Sequence, residues 1–434
     1  MILINNFKKI YGFNNKNKKI KNGYILIEGD KIEKIGSIND RDYDIIKEKE
    51  EIKFIDASDM IVLPGLINTH THAGMNLLRG YADDYNLQTW LNEKIWPFES
   101  RMNEEDIYWG TKLAIIEMIK NGITTFNDMY FATDRVVDAV KESGIRAVLG
   151  YGLIEANDGD EGLEESIRLI EMYDGYLNGK VKITLAPHAP YTCSNDYLNE
   201  IMKIADKYNS IIHIHVAETE EEVNEMVENI GKTPVEYLDS LGLFNFNTLA
   251  AHGVHLTDND IDILAKNNVH ISHNPASNMK LGSGVIRLND LLKSGINVSL
   301  GTDGVASNNG LDLIHDARLA AYLQKAVNND PTMITIEEIM NMATINGAKA
   351  LGFNDIGFIE EGKKADLTLI NTSKNPAYTP DYNSLSNIFY AGSGRDVDTV
   401  IIDGNIVLEN RNLKTIDEEE VYSEISNRIK RLSE

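Results

Sequence analysis

The sequence predicts a TIM-like (β/α)8 barrel with a small composite β-sandwich domain assembled from both ends of the chain. Three observations predict it. Between about residues 61 and 358, eight short apolar runs alternate with longer stretches of polar and apolar periodicity. Polar residues cluster after many of these runs, whereas a doubly wound open sheet gathers them at one switch point behind a Gly-x-Gly-x-x-Gly loop, which is missing here. The two ends share a third texture, short strand-like segments with turn punctuation. The length of 434 residues suits one large barrel plus an appendage, and a hydrophobic content of 42% argues against disorder.

The elements follow in order. Residues 1–60 hold a hairpin signal: an apolar run at 24–27, the turn Glu28-Gly29-Asp30, then alternation over 31–35. Eight barrel strands are expected at 61–66 (running into His70), 123–129, 146–153, 181–186, 211–216, 248–255, 269–274 and 298–303. Helical periodicity falls between them at 105–121, 134–143, 194–208, 220–230 and 258–267. The acidic stretch 155–165 reads as a solvated loop and helix start. Residues 359–434 return to β texture, with runs at 365–370 and 399–402 and a turn at Asp403-Gly404 into 405–408. The division is therefore 1–60 and 359–434 for the two parts of the β domain, and 61–358 for the barrel.

Composition narrows the function. A net charge of −25 sets the surface against nucleic acid and anionic membranes, and no local basic patch offsets it. Cys193 is the single cysteine, which excludes an intrachain disulfide and Cys-rich metal sites and fits a reducing compartment. The apolar run at the N-terminus is too short for a signal peptide or a spanning helix, so the cytoplasm is the expected location.

The ten histidines carry the chemistry. Nine lie in apolar, strand-like runs, and His315 sits in helical texture. His70 and His72 are two apart on a strand, where side chains share a face, so both imidazoles can reach one metal at a barrel mouth. Alone this spacing is weak evidence. His213 and His215 repeat it on the fifth strand, with Glu218 three residues on; His252 ends the sixth strand and Asp303 the eighth. The C-terminal ends of all eight strands ring one mouth, so these residues are expected to meet there.

The motifs are Pro64-Gly65-Leu66-Ile67-Asn68-Thr69-His70-Thr71-His72, Trp96-Pro97-Phe98-Glu99, Ala186-Pro187-His188-Ala189-Pro190-Tyr191, His213-Ile214-His215-Val216-Ala217-Glu218-Thr219, Ala251-His252-Gly253-Val254-His255, Ser272-His273-Asn274-Pro275-Ala276-Ser277-Asn278 and Gly301-Thr302-Asp303-Gly304. In these motifs, over nearly its whole length, the chain resembles the amidohydrolase superfamily of metal-dependent hydrolases. Within it, the chain resembles the 5-methylthioadenosine/S-adenosylhomocysteine deaminases, the group that includes the archaeal 5'-deoxyadenosine deaminases.

The resemblance implies that His70, His72, His215 and Asp303 ligate one divalent metal, commonly zinc, with iron, manganese or cobalt as alternatives. It implies that Glu218 shuttles protons and that His252, with Asp303, orients the attacking water. It also implies that Glu99 accepts from ribose hydroxyls, His188 contacts substrate and Trp90 walls the nucleoside pocket. The implied reaction is hydrolytic loss of the adenine 6-amino group from 5'-modified adenosines, giving inosine analogues and ammonia.

Other readings stay open. Glu99 also fits a helix-surface acid, Trp90 a core residue, and His213 a strand residue facing the helices. His255 and His270 read as structural and His315 as a surface residue, while His273 is open between substrate contact and bracing of the loop at 274–278. Guanine or cytosine deaminases and triazine hydrolases share much of the metal frame, and an inactive barrel is the alternative of another class. A binuclear site with a bridging lysine is disfavoured, because Lys182 opens strand four while His188 ends it. Arginine is missing from 151–165, so uncharged 5' groups are expected over homocysteine. Oligomeric state is not legible.

Overall fold

Residues 61–66 are not one strand. In the computed structural model, which describes residues 1–12, 20, 22–48 and 51–433, the run is divided at Gly65. Met60–Pro64 pairs antiparallel with Leu367–Asn371, and Leu66–Thr71 opens the barrel. Pro64 has no N–H for a continuing ladder, so the division falls beside it. Gly65 crosses between the sheets so close to the second barrel strand that a Cβ there would lie 2.0 Å from Thr124 Oγ1.

Eight parallel strands follow in sequence order, Leu66–Thr71, Ile123–Tyr130, Arg146–Leu153, Val181–Pro187, Ile212–Val216, Thr248–His252, His270–His273 and Val298–Leu300. The ring is drawn shut between first and last strands: Asp303 N–H donates to His70 O at 2.9 Å, and the Thr69 hydroxyl to Leu300 O at 2.9 Å. Helices on the outside bury the strands' outer faces, so the strands read as continuous apolar runs. The helix Glu104–Lys120 starts with a reciprocal cap between Asn103 and Asp106, worth about 1 kcal/mol.

Two sheets from the chain ends form the β-sandwich. One has four strands, Lys31–Ser37, Gly23–Glu28, Ile2–Phe7 and Lys53–Asp56; the other has six, including Met60–Pro64, Leu367–Asn371 and Val397–Ile402. Ile4, Phe7, Ile25, Val62, Leu367 and Ile401 share the core between them. The sandwich is fastened to the barrel by Arg146, whose buried guanidinium meets Asp366 at 3.1 Å and Asp403 at 3.4 Å. Removing one partner would strand a buried charge, at about 3–5 kcal/mol.

Two helices correct the sequence reading. Residues 155–165 lie in a helix, Glu155–Tyr173, kinked at Gly159, because the apolar spacing of Leu163, Leu169 and Ile170 buries one face beneath the acids. The chain also ends in a helix, Glu418–Ser433, which packs on the barrel helix Glu104–Lys120 and not in the β domain assigned to 359–434. Arg428 and Arg431 there both pair with buried Asp106. Among the described residues, no helix is long and apolar enough to cross a membrane.

Candidate active site

Three imidazoles converge at the barrel mouth. One ring nitrogen each from His70, His72 and His215 lies within 4.8 Å of the others. Asp303 Oδ1 is 3.3 Å from His70 Nε2 and 3.2 Å from His72 Nε2. His72 Nδ1–H donates to Met129 O at 2.7 Å and His215 Nδ1–H to His188 O at 2.6 Å. A carbonyl can only accept, so these rings carry their proton on Nδ1 and present Nε2 as a lone pair. His70 Nε2 is buried with no hydrogen-bond partner. Two lone pairs and a third, orphaned ring nitrogen converging beside a carboxylate make a donor set that suits a divalent ion.

His252 completes a second, overlapping trio with His70 and Asp303 inside the same 4.8 Å limit. Its Nε2 is 3.7 Å from Glu218 Oε2 and 4.0 Å from Asp303 Oδ2. Its Nδ1–H donates to Asn278 Oδ1 at 2.8 Å. Glu218 is buried, and that burial raises its carboxyl above the ordinary range, against the pull of His252. Its backbone is held from below, since the Glu222 carboxylate accepts from the N–H groups of Ala217 at 3.1 Å and Glu218 at 2.8 Å.

The backbone is bent where these groups are aimed. Ala217, His252 and Asp303 adopt left-handed φ values of 50°, 76° and 62°, each at or just past the end of a barrel strand. Such conformations cost of order 1–3 kcal/mol each and persist only when the surroundings impose them. At Asp303 the surroundings are explicit: the hydroxyls of Ser277 and Ser307 donate to Oδ2 at 2.6 and 3.2 Å. Gly301 belongs to the same turn, where a Cβ would lie 2.3 Å from Asn274 Oδ1.

A cavity opens outward from this cluster. Trp90, Glu99 and His188 line it together with Glu218, His252 and Asp303. Glu99 accepts from the Tyr130 hydroxyl, and burial lifts its carboxyl to about 7 despite that bond. His188 is held neutral, pushed down to about 3 by burial and neighbouring imidazoles. The Trp90 indole N–H donates to Ala82 O at 3.1 Å, which fixes the ring as a wall. A wider chamber continues past Trp96, Phe131, Ile154 and Tyr191.

The remaining histidines sort by position. His213 faces the barrel interior beneath His215, not the helices, with its Nε2 2.9 Å from His70 Nδ1. His255 Nε2–H donates to Ser283 O, His270 Nδ1 accepts from Asn297, and His315 is exposed. His273 is buried with both ring nitrogens unpartnered. Lys182 sits at the start of strand four, its ammonium on Gly352 O at 2.7 Å, far from the mouth. Sequence reasoning misses Tyr130, Ser307 and Glu222; only the position of Tyr130 at a strand end hints at a role.

A parallel eight-stranded barrel with imidazoles and a carboxylate gathered at its mouth defines a class, the barrel hydrolases that work at a metal site. The chain belongs to the Amidohydrolase family, which it matches over residues 61–407. It is 47% identical to a 5-methylthioadenosine/S-adenosylhomocysteine deaminase of Halothermothrix orenii, over 98% of each chain. It is 49% identical to a 5'-deoxyadenosine deaminase of Methanosphaera stadtmanae, over 93% of each. Among solved structures it is similar to an adenosine deaminase from Xanthomonas campestris with bound zinc, at a TM-score of 0.94 and 33% identity, covering 100% of this chain and 98% of that one.

Proposed function

We propose that this chain is a metal-dependent deaminase that converts 5'-modified adenosines to the inosine analogues and ammonia. One observation carries the reading: Glu218 and His252 stand 3.7 Å apart beside the His–Asp cluster, at the inner end of a cavity whose walls include Glu99 and Trp90. His70, His72, His215 and Asp303 would hold the ion, most simply zinc, with iron, manganese or cobalt also compatible with these donors. A divalent ion held there would acidify water and so supply a nucleophile at neutral pH.

The chain's own groups do the rest. His252 donates Nδ1–H to Asn278, so its Nε2 is free to accept one water proton and point the oxygen at C6 of adenine. Glu218 takes the other proton and delivers it to N1 as the C–O bond forms, which compensates for the lost aromaticity; the proton left on the C6 hydroxyl then passes through Glu218 to the amine, and ammonia leaves as the C6–N bond breaks and C6=O forms. Its raised affinity for a proton suits a group that must both take and give one. Glu99 accepts from the two vicinal ribose hydroxyls, supported by Tyr130, and Trp90 and His188 confine the nucleoside.

The 5' group points to the wider chamber. Among the described residues lining it and the inner cavity, none is Lys or Arg. Arg146 is buried against Asp366 and Asp403, and Arg168 pairs with Asp134 and Glu165. Uncharged substituents, as in 5'-deoxyadenosine, methylthioadenosine or adenosine, are therefore favoured over homocysteine. The single cysteine, Cys193, buried as a free thiol, suits a reducing, cytoplasmic setting.

The test is turnover by metal-loaded protein, read as ammonia release from these nucleosides, S-adenosylhomocysteine, guanine and cytosine, and as chloride release from chlorotriazines. The adenosines should lead in kcat/KM, and uncharged 5' groups should lead among them. A lead for a free base or a triazine overturns the nucleoside reading, and no release from any purine or pyrimidine overturns the activity.

A further inference from the structure

The three converging imidazoles are not held alike. His72 and His215 each give Nδ1–H to a backbone carbonyl, which can only accept. His70 instead meets a second imidazole: its Nδ1 is 2.9 Å from Nε2 of His213, the rings edge to face at 84° with centroids 5.0 Å apart. An imidazole nitrogen can donate or accept, so the proton of His70 is not settled by that neighbour alone. The next group inward is Asn127. Its Nδ2 donates to Thr69 O at 2.9 Å and lies 3.0 Å from Nδ1 of His213, while its Oδ1 is buried without a partner.

We propose that His213 is the positioning residue that sets which nitrogen of His70 carries the proton, and thereby whether His70 can bind an ion. Two arrangements satisfy the short His70–His213 contact, and each keeps one proton on each ring. In the first, His70 Nδ1–H donates to His213 Nε2, His213 holds its proton on Nδ1, and His70 Nε2 is a lone pair facing Asp303. In the second, His213 Nε2–H donates to His70 Nδ1, the Asn127 amide nitrogen donates to His213 Nδ1, and His70 turns an N–H toward the other ligands. The second satisfies Asn127 as it stands. The first places His213 Nδ1–H against that amide, and the unpartnered Asn127 Oδ1 supplies its acceptor once the amide turns away from Thr69 O. Ion binding therefore selects the first arrangement, and its affinity includes the cost of that switch. His213 touches neither the ion nor the substrate; it acts through His70.

This rests on the reading of the His–Asp cluster as a metal site, and the experiment separates the two. The zinc dissociation constant is measured by chelator competition, without substrate, for the parent, H213L, H213Q and H215A, with the Tm of each metal-free protein. H213L should bind zinc about 10–100-fold more weakly, the usual effect of losing a ligand's outer partner. H213Q places an amide oxygen where Nε2 stood and should restore most of the affinity, a rescue that a mere packing role would not produce. Parent-like binding by H213L, or H213Q as weak as H213L while its metal-free Tm matches the parent, overturns the proposal alone. A parent that binds no zinc, or H215A that binds like the parent, overturns the metal reading and this proposal with it.

Discussion

The Ser277 hydroxyl donates to Asp303 Oδ2 at 2.6 Å, tying the short helix Pro275–Lys280, which stands where the sequence suggests a loop after the seventh barrel strand, to the carboxylate after the eighth. The bond leaves Oδ1 facing His70 and His72. S277A should lower metal affinity and kcat/KM by about 10-fold or more, since outer partners of a ligand typically contribute that much. Ser307, farther away at 3.2 Å, should matter less. Parallel metal titrations of S277A and S307A check the order.

Glu218 is placed as the group that moves protons, so E218Q should separate binding from chemistry. Its kcat should fall about 10²–10⁴-fold, the range for loss of a general acid–base group, with metal content unchanged. Steady-state kinetics and metal analysis of the same preparation decide it. A variant with near-parent kcat would reassign the shuttle.

The carboxyl of Glu99 is lifted by burial to about 7, above its ordinary range. A raised carboxyl is protonated as pH falls through that value, and a protonated Glu99 loses acceptor capacity for the ribose hydroxyls. KM for a nucleoside should therefore rise below about pH 7 and level off above it. In E99Q the KM should be high throughout, with this pH dependence gone. A KM–pH profile identical in parent and variant would remove Glu99 from ribose recognition.

Metal removal should cost stability as well as activity. An ion that binds only the folded chain adds about 2.7 kcal/mol when present at 100 times its dissociation constant, so chelation should lower the Tm. Readdition should restore it at one ion per chain. A stoichiometry near two would instead indicate a binuclear centre, which Lys182, remote from the mouth, gives no ligand to bridge.

Much of this is readable along the chain, because strands and helices follow local periodicity. The eight runs, the His-x-His spacing and the position of Glu218 after His215 are local features. Errors arise where a long-range partner decides. The run at 61–66 is apolar throughout, and its division at Gly65 depends on Leu367–Asn371 pairing with the first half. The helix Glu418–Ser433 is amphipathic by itself, but its place on the barrel depends on Asp106, more than three hundred residues earlier.

The sequence by itself determined the barrel, the two-ended β domain and the gathering of His70, His72, His215, Glu218, His252 and Asp303 at strand ends, since each is a matter of spacing within a few residues. Only the tertiary structure decided what each imidazole's second nitrogen meets. Met129 O, His188 O, Asn278 and His213 reach His72, His215, His252 and His70 across strands and loops that close only when the ring does. A hydrogen bond needs atoms within about 3 Å, and no spacing along one strand can specify that distance to another.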